Sequence, residues 1–243
     1  MRMFPARLSV AALAALVTAI AAMSAAADEA LLRRAFGAFM RSADELRIEA
    51  IPDLYEGGYA RISVTARRVQ LTEGLKVDES MIRLVGVTLD MPALRAGKLK
   101  VVDFRDSAMQ VRVLLRSLQD YFNAGNPMED IRFWAEEGYL LGTGTVLFQG
   151  RPTRMRMKGF FAVSGTTEIY FYFESLHANG LPMPMSVIRD LERSINPVLH
   201  QRDWPVTFKI RSVKLDAQGL TVSTQGDTSC PTCGGGDTQR YAP

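Results

Sequence analysis

The stretch RPTRMRMKGFFAVSGTTEIYFYFESLH, residues 151–177, alternates cations with methionines and then turns into a dense aromatic run. Successive side chains of a strand point to opposite faces, so Arg154, Arg156 and Lys158 share one face while Met155, Met157, Phe161 and Val163 share the other. Ser164, Gly165 and Thr166 mark a reversal into Ile169, Tyr170, Phe171, Tyr172 and Phe173. The whole reads as a β-hairpin with one strongly apolar face. Its first arm, Thr153 to Ser164, would extend about 40 Å at roughly 3.3 Å per residue, well beyond an ordinary strand.

Working outward, period-two patterns dominate. Ile62, Val64 and Ala66 alternate and Val69 and Leu71 continue in the opposite phase, which predicts a bulge around Arg67 and Arg68. The same shift separates Val206, Phe208 and Ile210 from Val213 and Leu215, with Ser212 at the change. Further strands are expected at Met81 to Met91, Leu99 to Val113, Ile131 to Glu137, Tyr139 to Gln149 and Gly219 to Thr224. Phase shifts in long strands point to a curved sheet.

Three stretches follow the helical period instead. Asp28 can cap a first helix carrying Leu32, Phe36, Phe39, Ala43 and Leu46 on one face. Leu114, Leu115, Leu118 and Phe122 mark a second, ended by Asn123, Gly125 and Pro127. Met185, Ile188, Leu191 and Ile195 mark a third, entered through Pro184 and stopped near Asn196-Pro197. Each has a single apolar stripe, as expected of helices packed on a sheet.

The N-terminal segment sets the expected compartment. Arg2 and Arg7 precede an apolar run from Leu8 to Ala22, and Ser24 to Ala27 supply small residues, so residues 1–27 read as a signal peptide cleaved after Ala27. The run is shorter than the roughly 20 residues that span a bilayer. Without Arg2 and Arg7 the 29 Lys and Arg become 27, against 26 Asp and Glu. A nearly neutral exported chain is a poor match for nucleic acid, whose binding draws on a concentrated cationic excess. Residues 28–226 read as one β-rich domain and residues 227–243 as a disordered Cys/Gly-rich tail.

Catalytic and metal patterns are weak. Cys230-Pro-Thr-Cys233 is half of a zinc knuckle without its other half, and in an exported chain these thiols are expected to oxidise, either to each other as a Cys230–Cys233 disulfide or across two chains. Gly142-Thr-Gly-Thr145 falls inside a strand, where glycines relieve curvature. Glu136 and Glu137 are adjacent, would point to opposite faces, and are expected to precede a turn at Gly138. His177 and His200 have no evident partnered nucleophile and read as surface or capping residues. The expectation is a non-enzyme with no cofactor and no metal.

The succession Asp53-Leu-Tyr-Glu-Gly-Gly58, the strand Ala60 to Val69, then Ile82-Arg-Leu-Val-Gly-Val-Thr-Leu-Asp90 and Leu94-Arg-Ala-Gly97 resembles the LmeA-type phospholipid-binding family of bacterial envelopes. Leu114 to Phe122, Gly180-Leu-Pro182, Trp204-Pro-Val206 to Val213, and Gly219-Leu-Thr-Val222 agree with it, so the resemblance spans Pro52 to Thr224. It implies an exported protein that binds phospholipid or another envelope lipid in an apolar groove and meets the membrane surface transiently. The implied fold is α+β, a long curved antiparallel sheet wrapped on helices and similar to the tubular lipid-binding (TULIP-like) domains.

The family pattern supplies no fixed residues, so the candidate lipid contacts follow from alternation: Met155, Met157, Phe161, Phe171 and Phe173. The row Arg154, Arg156 and Lys158 is expected to be the solvated back of the sheet, the alternative being contact with anionic headgroups. The competing function is a structural or scaffolding envelope protein whose apolar faces are simply filled core. An outer-membrane barrel fits the charged faces and helices poorly.

Overall fold

The computed structural model describes residues 28–40, 42–70, 76–125, 128–148, 151–201 and 204–225. The expected signal peptide with its cleavage at Ala27, Leu71, and the tail with Cys230 and Cys233 lie outside the described residues. In chain order the elements are α1 (residues 28–39), β1 (Glu45–Pro52), β2 (Gly58–Gln70), β3 (Lys76–Leu89), α2 (Met91–Arg95), β4 (Val101–Leu114) and α3 (Leu115–Gly125). Then follow β5 (Met128–Glu136), β6 (Tyr139–Phe148), β7 (Arg151–Ser164), β8 (Glu168–Ala178), β9 (Leu181–Pro182), α4 (Met185–Ile195), β10 (Ser212–Asp216) and β11 (Gly219–Ser223).

All of the strand pairs are antiparallel, as expected, but the described strands form two sheets rather than one. The first has the order β1-β2-β3-β4-β11-β10 and the second β5-β6-β7-β8-β9. The division has a topological cause: β11 occupies the free edge of β4, where β5 would have had to pair to continue the sheet. Helix α3 joins the two. Asp78 of β3 accepts hydrogen bonds from the Leu114 N–H (2.7 Å) and the Ser117 hydroxyl (2.9 Å) at its start, and Gln119 Oε1 accepts from the Phe133 N–H of β5 (3.3 Å).

The phase change predicted near Arg67 and Arg68 is present, but it is not the expected bulge. Ala66 and Val69 are buried, both arginines are exposed, and Arg68 has a left-handed φ of 48°. Yet Ala66 still pairs with Ser80 and Val69 with Val77, so register is conserved and β3 changes phase at the same level. A matched change of phase on neighbouring strands turns the surface without inserting a residue. It recurs at Gly86, where φ is 59° and an added Cβ would lie 3.0 Å from the Arg105 Cβ of β4.

The face of the first sheet is filled. Ile62, Val64, Leu84 and Val111 share a buried core with Leu32 and Phe36 of α1, and Trp204 packs edge-on against Phe39 (5.7 Å between ring centroids).

Several boundaries differ from the sequence reading. Helix α1 ends at residue 39, so Ala43 lies beyond it and Leu46 belongs to β1, a strand the helical spacing obscured. Ser42, with φ 57°, makes the break. A short helix, α2, was not expected; Asp90 caps it by accepting from the Ala93 N–H (3.0 Å), with Pro92 in its first turn. Val206, Phe208 and Ile210 alternate and are buried, but only Ser212–Asp216 of that run is strand. There a side chain replaces a strand partner: Gln201 Oε1 accepts from the Phe208 N–H (2.6 Å) and its amide donates to the Phe208 carbonyl (2.9 Å).

Candidate functional site

The hairpin of β7 and β8 folds as read, with Gly165 at φ 60° in the turn. Its apolar face does not close on itself. A cavity of about 470 Å³ lies between the second sheet and α4. From β7 it takes Thr153, Met155, Met157 and Phe161, and from β8 Phe171, Phe173, Leu176 and Ala178. Val187, Leu191, Ser194 and Ile195 of α4 form the opposite wall, with Leu118 of α3 at one side. Thr153 to Phe161 alone runs about 26 Å at roughly 3.3 Å per residue, so the cavity is elongated along the strands.

All five residues chosen by alternation line this cavity, and two local devices put them there. On β8, Phe173 and Leu176 are three apart and would face opposite ways in a regular strand. A bulge between the pairs Lys158↔Ser175 and Gly159↔Phe173 resets the phase, so both face the cavity. On β6, Gly142 and Gly144 are buried in the cavity wall. A Cβ on Gly142 would lie 2.8 Å from the Phe133 ring and 3.0 Å from Met157 Cγ. These glycines leave room where the sequence reading assigned them only curvature.

Helix α4 is tied along β8 by side chains. Strand β9 covers His177 and Ala178 and the segment at Val198 and Leu199 covers Ile169, which leaves the outer edge of β8 open between them. Asn196 Oδ1 accepts from the Phe171 N–H (2.7 Å) and its amide donates to the Phe171 carbonyl (2.8 Å), while Glu192 accepts from the Phe173 N–H (2.9 Å). Edge groups that would otherwise recruit another strand are thereby satisfied. Ile188 is buried, and the neighbouring stripe Val187, Leu191 and Ile195 faces the cavity. Sequence periodicity identified the helix but not which stripe would remain unpacked.

The opposite face of the hairpin is different chemistry. Arg154 and Arg156 are exposed, as expected for a solvated back. Lys158 pairs with Glu174 (2.6 Å) and lies 3.9 Å over the Tyr139 ring; the hydrogen bond to Glu174 holds its pKa above the ordinary lysine value. Phe160, Tyr170 and Tyr172 pack side by side on this face, so the aromatic run of β8 divides evenly between cavity and back. His177 pairs across from Arg156, and its buried Nδ1 has no hydrogen-bond partner. His200 is exposed. Glu136 ends β5 and Glu137 enters a tight turn with Gly138, as expected.

Few polar groups face the cavity. Thr153 and Ser194 contribute hydroxyls, Thr143 borders the cavity between two glycines but pairs with Arg156 on the back, and no charged side chain lines it among the described residues. Nor do the described residues contain a cluster of three potential metal ligands. A wall of this composition and length suits an apolar occupant.

Comparison with known protein families matches residues 23–225 to the LmeA-like phospholipid-binding family. The chain belongs to that family. No curated protein and no solved structure matches it. The LmeA-like family is one of binding rather than catalysis, and its match covers every strand and helix described above.

Proposed function

We propose that this chain is an exported phospholipid carrier of the cell envelope that takes acyl chains into the cavity between the second sheet and α4. The observation that carries this reading is the cavity's elongated and almost wholly apolar wall, of a size within the roughly 300–1,000 Å³ of ligand pockets. Met155, Met157, Phe161, Phe171 and Phe173 are the acyl contacts. Each methylene transferred from water to such a wall gains about 0.8 kcal/mol. A phosphate would gain nothing there, since burying an unpaired charge is strongly unfavourable. The headgroup therefore stays at the mouth.

The basic n-region and apolar run within residues 1–27 support export to the periplasm or an equivalent extracytoplasmic space. Envelope lipid transfer or maintenance is the role that follows, and a curved fold akin to the tubular lipid-binding domains would serve it. Native mass spectrometry of protein purified without detergent tests the reading. Phospholipid adducts are expected; protein that is lipid-free and takes none from vesicles would overturn it.

A further inference from the structure

We propose that the end of the second sheet formed by the β8–β9 turn and the start of α4 is a membrane-docking tip, and that its partner is an anionic phospholipid bilayer. The inference rests on the carrier reading and says where that carrier meets its lipid source. Ala178 lines the cavity and pairs across the turn with Leu181, so Leu181 stands on the same face of the sheet, beyond the cavity's end. Met183, whose N–H donates to the Leu176 carbonyl, lines the cavity too. The apolar wall thus runs without interruption from inside the cavity to solvent. Leu181 is 71% exposed and Met185 62% exposed.

The turn that presents Leu181 is held by hydrogen bonds. Asn179 and Gly180 adopt φ values of 50° and 84°, the two-residue hairpin geometry, and Asn179 exchanges hydrogen bonds with the backbone of Arg154 at 2.8 and 2.9 Å. Charge supplies the choice of partner. Residues 143–148, 151–156 and 178–189, which build this end, contain Arg151, Arg154, Arg156 and Arg189, and the next carboxylate along α4, Asp190, is engaged by Arg193. In a chain with nearly balanced charge that is a local excess. Both Arg154 and Arg189 are exposed, the latter one helical turn beyond Met185. Glu129, at the level of Arg154 through Thr145, and Asp130 lie two strands across on β5, the sheet's other edge.

Another exposed apolar tip sharpens the choice. Leu54 (95% exposed) and Tyr55 (71%) crown the β1–β2 turn, but they are flanked by Asp53 and Glu56 and belong to the sheet whose face is filled. Carboxylates at that position repel an anionic surface, and the cavity described above belongs to the other sheet.

Flotation of the full chain with vesicles of equimolar phosphatidylglycerol and phosphatidylcholine is the test, with loading of phosphatidylglycerol from detergent micelles measured in parallel. Wild type should bind these vesicles and lose affinity as salt is raised. Leu181→Asp/Met185→Asp should bind at least tenfold more weakly while loading from micelles as wild type does. Replacing Arg154 or Arg189 by Gln, exposed changes with no demand on the fold, should each weaken vesicle binding about fivefold. Unchanged binding of the Leu181/Met185 variant, no preference for anionic vesicles, or loss of binding through Leu54→Asp/Tyr55→Asp instead would overturn the proposal. Wild type that docks through Leu181 and Met185 but takes no lipid from micelles would uphold the tip and refute the carrier.

Discussion

Gly142 of β6 stands directly across from Met157 of β7, and the missing side chain of the glycine is the space that the methionine and the Phe133 ring occupy. Gly142→Ala would therefore push Phe133 or Met157 into the cavity. The expected cost is about 1–3 kcal/mol, the usual penalty for overpacking. Denaturant unfolding should register that loss, and native mass spectrometry should show reduced occupancy by lipid. A variant as stable as wild type with unchanged loading would mean that Gly142 does not set the cavity's shape.

Facing residues on β7 allow a sharper comparison. Met157 lines the cavity and Arg156 is exposed on the back. Met157→Glu places a carboxylate where no polar partner waits, so either lipid is displaced or the charge is neutralised. Retained lipid should fall at least tenfold, while Arg156→Glu should load nearly as wild type. Equal effects, or the reverse order, would show that the faces are misassigned.

How far the sequence reached depends on what decided each feature. Strict alternation from Arg154 to Lys158 specified the two faces of β7, because period two has only one structural meaning. The helix α4 was legible for the same reason at period 3.6, and Ser164-Gly165-Thr166 announced the turn between β7 and β8. The end of α1 was not legible, since Ala43 and Leu46 continue the helical spacing of Phe36 and Phe39 even though the chain has already turned at Ser42. Nor was the division into two sheets, which depends on β11 returning to β4 from more than a hundred residues away. The cavity's form lay beyond pattern: alternation placed Phe171 on the apolar face and the family resemblance implied a groove, but only the third dimension shows that α4 stops short of filling the space in front of it.

Asn196 acts toward Phe171 as a strand partner would, accepting from its N–H and donating to its carbonyl. Asn196→Ala removes both bonds from a buried residue, for an expected loss of about 1–3 kcal/mol. Asn196→Asp keeps the acceptor and loses the donor, so its effect should be intermediate. Hydrogen exchange at the Phe171 amide should quicken in the alanine variant before global unfolding does, and bound lipid should leave faster as α4 loosens. Protection at Phe171 that matches wild type would mean α4 is held by packing alone.

Tyr59 gives a pH signature that belongs to the filled sheet rather than to the cavity. Its hydroxyl is buried without a hydrogen-bond partner, and burial, aided by the nearby Asp28 carboxylate, pushes its pKa up to about 12. An unfolded tyrosine ionises near 10. Between those values the unfolded chain has released a proton that the folded chain retains, so this residue makes stability fall as pH rises from about 10 to about 12. Below pH 10 the phenol is neutral in both states and contributes no slope. Tyr59→Phe deletes both the orphaned hydroxyl and the titration, leaving the ring to pack among Val87 and Leu89 on the neighbouring strand. At pH 7 the variant should be as stable as wild type or more stable by about 1 kcal/mol, because nothing satisfied is lost. Above pH 10 its advantage should widen in urea unfolding followed by circular dichroism. Parallel pH profiles for the two chains would show that the Tyr59 phenol ionises at its ordinary value and is not confined as the fold places it.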